Sequence, residues 1–224
     1  MKIHDISPVV SSRIGVFPGD VGFERNTSLD FATGHNLRLS SITTTLHVGA
    51  HADSPGHYHR DGEGIATRSL TPYLGRCLVV KANVPRGERI KREHLATDPT
   101  KHPSWPVERV LVETGSFPNA DQWNSDFASF SPELIEEWAK AGVKLIGIDT
   151  PSIDPETSKD LPSHAMVAKY DMSVLEGLVL TNVPPGLYTL VALPLKLDGA
   201  DASPVRAVLV DDGGKAFGHF PSAD

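Results

Sequence analysis

The sequence predicts an α/β fold on a largely buried sheet, held in one domain spanning residues 1–224. Apolar, β-branched runs recur along the chain and read as strands. A capped helix leads directly into one of these runs, the linkage expected of an α/β domain. The 19 glycines and 18 prolines are scattered, so they punctuate short elements and mark no linker.

In chain order, the first extended segment is His47 to Asp53. Gly49 is a poor helix former and Pro55-Gly56 would end a helix, so a strand is the better reading. Leu78 to Val84 is the next strand, then a weak pattern for a short helix at Ile90 to Leu95, then a strand from Val107 to Glu113. The clear helix begins at Ser131, a capping residue, with Pro132 in its first turn. Acidic Glu133, Glu136 and Glu137 suit the positive end of its dipole. Leu134 and Trp138 share one face, with Ile135 and Ala139 alongside, and Gly142 supplies the stop. Strands at Val143 to Ile148, Leu178 to Thr181, Tyr188 to Leu193 and Ala207 to Val210 carry short or continuous apolar patterns. Such patterns suit strands buried on both faces.

Composition narrows the function classes. The 224 residues are 39% hydrophobic and 22% charged, as in ordinary globular proteins. The net charge is −7 and no basic cluster exceeds Lys91-Arg92, which argues against nucleic acid or an anionic membrane as partner. No transmembrane run is expected. Met-Lys-Ile-His-Asp lacks the pattern of a secretory leader, and the single Cys77 cannot form an internal disulfide. Together these place the expected location in the cytoplasm. Cys77 opens an apolar run and reads as a packing residue.

The chemistry concentrates in His47-Val48-Gly49-Ala50-His51-Ala52-Asp53-Ser54-Pro55-Gly56-His57. Nitrogen and oxygen ligands at this density are what a borderline-hard divalent metal requires. On an extended segment, His47, His51 and Asp53 point the same way. A bend at Pro55-Gly56 then lets His57 return toward the same place. The helical H-E-x-x-H arrangement does not apply. Downstream, Glu176 sits in an apolar run and is costly to bury unless paired or bound to metal, or else it is a solvated helix residue. His164 reads equally as a ligand or a helix cap. Glu113-Thr114-Gly115-Ser116 is not a G-x-S-x-G elbow, so no serine nucleophile is expected. His59 reads as an outer partner of the site or, the favoured reading, a surface residue before the Asp61-Gly62 turn, and Arg206 is a chemical candidate for binding a carboxylate but is as often structural in such a segment.

The His47 to His57 segment meets the pattern H-x-G-[TA]-H-x-D-x-P-x-H in full. With it come Pro18-Gly19-Asp20, Gly147 through Pro155, Ser158-Lys159, Ala192 through Lys196 and Asp201 through Val208. On these residues the chain is similar to the bacterial kynurenine formamidases (arylformamidases), within the metal-dependent cyclase-like hydrolase family. The resemblance covers nearly the whole chain.

It implies the swivelling β/β/α fold of that family, a homodimer, and two divalent ions per chain, zinc foremost with manganese, cobalt or cadmium as alternatives. His47, His51 and Asp53 would hold the first ion, Asp53 and Glu176 would bridge, and His164 would bind the second. His57 would be the general acid and base. The implied reaction is hydrolysis of N-formyl-L-kynurenine to L-kynurenine and formate by a metal-activated water, a step of tryptophan degradation. Phe17 would lean on the substrate ring, where the formamidases carry Trp; Phe offers a smaller face and no indole N–H. Hydrolysis of a cyclic amide of the isatin type is the alternative reaction, and a non-catalytic metal-binding or small-ligand protein the alternative class.

Overall fold

The computed structural model describes residues 2–101 and 106–212, so His102 and His219 lie outside the described residues. In chain order the strands are β1 (Lys2–Asp5), β2 (Glu24–Leu29), β3 (Leu39–Thr43), β4 (His51–Asp53), β5 (Leu74–Lys81), β6 (Arg89–Ile90), β7 (Arg109–Glu113), β8 (Ser129–Phe130), β9 (Leu145–Ile148), β10 (Ser173–Glu176), β11 (Gly186–Val191), β12 (Ala202–Pro204) and β13 (Val208–Asp211). The helices are α1 (Pro55–Tyr58), α2 (Pro132–Lys140) and α3 (Pro162–Lys169). Nine strands form one mixed sheet in the order β1-β13-β11-β5-β7-β9-β10-β4-β12. The central β5, β7, β9 and β10 run parallel, and the flanking pairs run antiparallel.

The central strands alternate between two cores. Cys77, Val79, Leu111, Leu145 and Leu175 face one core, and Leu78, Val80, Val110, Val112, Ile146 and Val174 face the other. Continuous apolar runs arise because both faces are covered. Leu134, Ile135 and Trp138 of α2 and Val167 of α3 close the second core. Cys77 is fully buried, which pushes its thiol up to about 12 and leaves it a packing residue. Among the described residues, no helix is long and apolar enough to cross a membrane.

Helix α2 forms as its sequence predicts. Ser131 Oγ accepts from Leu134 N at 3.2 Å, and Gly142 takes a left-handed φ of 96° beyond the end. Four expectations need correction. The strand expected at Leu178 to Thr181 is coil; the strand is β10, immediately before it, and it ends on Glu176. Ile90 to Leu95 forms no α-helix: Ile90 lies in β6, and only a short 3-10 turn follows, at Arg92–His94. Pro55 opens the one-turn helix α1 instead of ending one, because Pro is tolerated where no N–H is needed. His47 is not on the strand with His51 and Asp53. Gly49, with φ of 60°, turns the chain between them, and β4 starts only at His51.

Two glycines fix where the ligand strands begin and end. Gly177 follows Glu176 with φ of 65°, and a Cβ there would stand 2.0 Å from the Gly49 carbonyl oxygen. Backbone therefore packs against backbone at this point, which brings the turn before His51 onto the turn after Glu176.

Candidate metal centre

Strands β4 and β10 are antiparallel neighbours, with Glu176 opposite His51 and Val174 opposite Asp53. Directly opposed residues project from the same face, as do residues two apart on one strand. His51, Asp53 and Glu176 therefore share a face by register alone. Their separations are 3.2 Å from His51 Nε2 to Glu176 Oε2 and 3.5 Å from His51 Nε2 to Asp53 Oδ1. Glu176 is thus a buried strand residue, and the solvated-helix reading falls.

His164 enters from α3, placing Nε2 at 3.5 Å from Asp53 Oδ2 and 3.4 Å from Glu176 Oε1. Leu161, at the start of that helix, offers no side-chain cap. Asp154 does the capping from a preceding loop, accepting from Ser163 N and His164 N, each at 3.1 Å from Oδ2. The same oxygen is 2.9 Å from His164 Nδ1, and Arg89 Nη2 donates to Oδ1 at 2.9 Å. These partners hold the Asp154 carboxyl down at about 2 against the opposing effect of burial. With Nδ1 committed to Asp154, Nε2 is the nitrogen turned to the site.

His47 arrives from its turn with Nδ1 at 3.0 Å from Asp53 Oδ1. Helix α1 returns His57, whose ring centroid is 4.2 Å from that of His47 and 6.1 Å from that of His164. Ser54 N and Oγ both donate to the Asp201 carbonyl, at 2.8 and 2.9 Å, which ties the motif to the segment leading into β12.

The donor set fits a divalent cation. His51 Nε2, His164 Nε2 and both carboxylate oxygens of Asp53 are buried without a hydrogen-bond partner. Four converging orphaned atoms are expensive unless something charged joins them. Among the described residues, two trios have ligand atoms mutually within 4.8 Å: His51, Asp53 and Glu176, and His47, Asp53 and His57. The electrostatics agree. Burial alone would drive His47 down, but Asp53 and Asp201 raise it to about 9. Burial likewise opposes a charged His164, yet Asp154, Asp53 and Glu176 hold it well above its ordinary value. Burial opposes the Asp53 carboxylate too, and His164 and His47 keep it well below the usual range. Positive charge is what this pocket asks for.

His47, His57, His164 and Glu176 line a cavity of about 500 Å³, with His51 and Asp53 buried beside them. Phe17, Phe117 and Trp123 form an aromatic side, with Trp123 at 5.5 Å from Phe17 and 5.8 Å from Phe117, edge to face. Trp123 is fixed by its Nε1 donating to Glu156 Oε2 at 2.7 Å.

Residues 4–155 match the Cyclase family. The chain belongs to the Cyclase family. Its relatives there include proteins called kynurenine formamidase: one from Bordetella avium is 46% identical over 208 residues, covering 93% of this chain and 97% of that one. One from Delftia acidovorans is 45% identical over 209 residues, and one from Sphingopyxis alaskensis 40% over 213, with the same coverages. Among solved structures, a "potential metal-dependent hydrolase with cyclase activity" superposes with a TM-score of 0.78 at 26% identity, covering 93% of this chain and 96% of that one. Isatin hydrolase A from Labrenzia aggregata superposes at 0.80 with 20% identity, covering 93% of each chain. The swivelling β/β/α cyclase fold is therefore the fold of this member.

The structure brings His47, His51, Asp53, His57, His164 and Glu176 to one place and puts Phe17 in the cavity wall. Arg206 is not there. It is exposed and paired with Asp5 through Nε at 2.9 Å, so the carboxylate-binding expectation for it is withdrawn. His59 is exposed at the end of α1 and does not line the cavity. Ser116 is a buried structural hydroxyl, accepting from Ala128 N at 2.9 Å. Sequence reasoning missed roles for Asp154, Asp201, Phe117 and Trp123. Only an Asp at the mouth of a Pro-rich loop or before an edge strand hinted at the first two.

Proposed function

We propose that this member of the family hydrolyses N-formyl-L-kynurenine to L-kynurenine and formate. The observation that carries the reading is the convergence of His47, His51, Asp53, His164 and Glu176 on one floor of an aromatic-walled cavity, with His57 beside them. Relatives called kynurenine formamidase, 40–46% identical over 93% of the chain, support the substrate.

In this reading the site takes two divalent ions per chain, zinc foremost, with manganese, cobalt and cadmium fitting the same donors. His47, His51 and Asp53 would hold one, and His164 with Asp53 and Glu176 would hold the other. Bound there, the ions would acidify water and polarise the formyl oxygen. The residues do the rest. Asp154 keeps His164 turned inward. His57, with a third of its side chain exposed, stands at the cavity edge within reach of substrate. It takes a proton from the attacking water and returns it to the aniline nitrogen as the C–N bond breaks, since an aniline leaves badly as an anion. Water is consumed, and formate and the free amine are released. Phe17 and Trp123 offer edges and faces to the aryl ring. The reading includes a single domain, a homodimer and a cytoplasmic location.

The test is turnover of N-formyl-L-kynurenine in metal-replete and chelator-treated protein, with metal content measured on the same samples. Metal-dependent release of kynurenine with about two ions per chain supports the reading. No turnover with a filled site overturns it. The likeness to isatin hydrolases favours one second reading, cleavage of a cyclic amide. Isatin assayed alongside the formamide decides between them.

A further inference from the structure

Among the described residues, Asp201 is the carboxylate within 4 Å of both a floor residue and the proposed proton-transfer histidine. Its Oδ2 lies 3.1 Å from His47 Nε2 and 3.4 Å from His57 Nδ1. His47 meets Asp53 with its other nitrogen, Nδ1. Asp201 therefore stands behind the His47 ring, away from the donor atoms, and its contact with His57 is on Nδ1. We infer that Asp201 is a positioning residue, one carboxylate oxygen that holds His57 through Nδ1 and couples its orientation to that of His47. This rests on the formamidase reading only for what His57 does, not for the geometry.

The fold supplies the precision this needs. Asp201 immediately precedes β12, whose Ala202 pairs with Asp53 and Pro204 with His51. Its carbonyl is gripped twice by Ser54, three residues before His57. The preceding Ala200 carbonyl accepts from Ile65 N at 2.9 Å. Asp201 and the strand after it are thus pinned to the segment carrying His51, Asp53 and His57, and the residue before it to Ile65, so its carboxylate keeps register with them.

The chemistry follows from which nitrogen is engaged. A carboxylate accepts only, so a neutral His57 held by it carries its proton on Nδ1. Nε2 is then the free acceptor, which is what a general base needs. An unconstrained neutral imidazole favours the proton on Nε2, so Asp201 imposes the less common form. The 3.4 Å separation is long for a hydrogen bond, in keeping with catalytic contacts that tighten when substrate binds. Asp201 is 48% exposed at its side chain. Solvent weakens its hold compared with a buried partner, and the loss on removing it belongs with other outer partners of metal sites, about 10- to 100-fold.

Two measurements test it. The first needs neither metal nor substrate: imidazole nitrogen shifts of neutral His57 in the metal-free protein. The wild type should show the proton on Nδ1, and Asp201→Ala should move it to Nε2. The second is a double-mutant cycle on the holoenzyme. Asp201→Asn and Asp201→Ala should lower kcat about 10- to 100-fold at unchanged KM and full metal content, with partial recovery in Asp201→Glu. In the His57→Ala background the same changes should cost nothing further. Protonation of His57 on Nε2 in the wild type overturns the inference. So does an equal loss with and without His57, which would make Asp201 a support of His47 alone. If the formamide is not turned over, the formamidase reading fails while the nitrogen shifts still decide the role of Asp201.

Discussion

Glu176 stands directly across from His51 in the antiparallel pairing of β10 with β4, and 3.2 Å separates their facing atoms. The second Glu176 oxygen accepts from Ile153 N at 2.7 Å. One carboxylate thus ties two strands and a loop to the floor of the cavity. Glu176→Gln keeps the shape and the loop contact and removes the charge. We expect the chain to lose about one bound ion of the proposed two, and activity to fall at least about 100-fold, beyond the loss typical of outer partners. Metal analysis after dialysis, paired with kcat, checks this; a variant with full metal and full rate would remove Glu176 from the ligand set.

Asp154 is fully buried and carries two tasks, capping α3 and turning His164. Asp154→Asn leaves one amide N–H facing the α3 backbone donors or His164 Nδ1. The metal-free protein should be less stable by about 1–3 kcal/mol, the cost of an unmet buried polar group. Metal affinity should fall about 10- to 100-fold. Denaturant midpoints and a competitive chelator titration read the two effects separately, and a change in stability with no change in affinity would confine Asp154 to the cap.

The elements legible in the sequence were those with both a pattern and a boundary. Helix α2 has Ser131, Pro132, an apolar stripe and Gly142, and it forms as read. Its successor β9 and the strands around Leu78, Val110, Leu190 and Leu209 follow from β-branched runs. Helix α3 was hard to read because its cap, Asp154, is eight residues before Pro162, which leaves the proline without the adjacent capping residue that marks α2. The strand placed at Leu178 was off by one element: Ser173 to Glu176 ends on a carboxylate, and apolarity alone favours the coil that follows. The His47 to His57 segment announced its ligands by type. That His47 sits on a turn depended on the close contact of Gly49 with Gly177, which pairs residues 128 apart and leaves no trace in spacing.

In the metal-free protein His47 is raised to about 9 from the ordinary 6.5. The folded state therefore binds more protons than the unfolded one between these values. That contribution to stability is complete below about pH 6.5 and is lost as pH rises through about 9. Metal uptake must displace the same protons, so affinity for Zn²⁺ should climb over this window while the metal-free melting temperature drops. Calorimetric titrations in two buffers of different ionisation enthalpy should reveal proton release near pH 7. An affinity independent of pH, with no protons released, would mean that His47 does not face the ion.

Phe17 is 44% exposed at the cavity wall and meets Trp123 edge to face. Exposure of that size is unfavourable for a large aromatic and is relieved when an aryl ring settles on it. The contact lies on the aromatic wall, not among the ligand atoms, so it should act on substrate and transition state alike. Phe17→Ala should therefore raise KM about 2- to 13-fold, the equivalent of one aromatic pair, and leave kcat within about 2-fold. Phe17→Trp enlarges the face and adds an N–H donor at the rim, so KM should fall or hold. Steady-state kinetics on the three proteins check both. If Phe17→Ala lowers kcat and kcat/KM in equal measure, Phe17 instead shapes the reacting geometry, and the ring rests on Trp123 and Phe117.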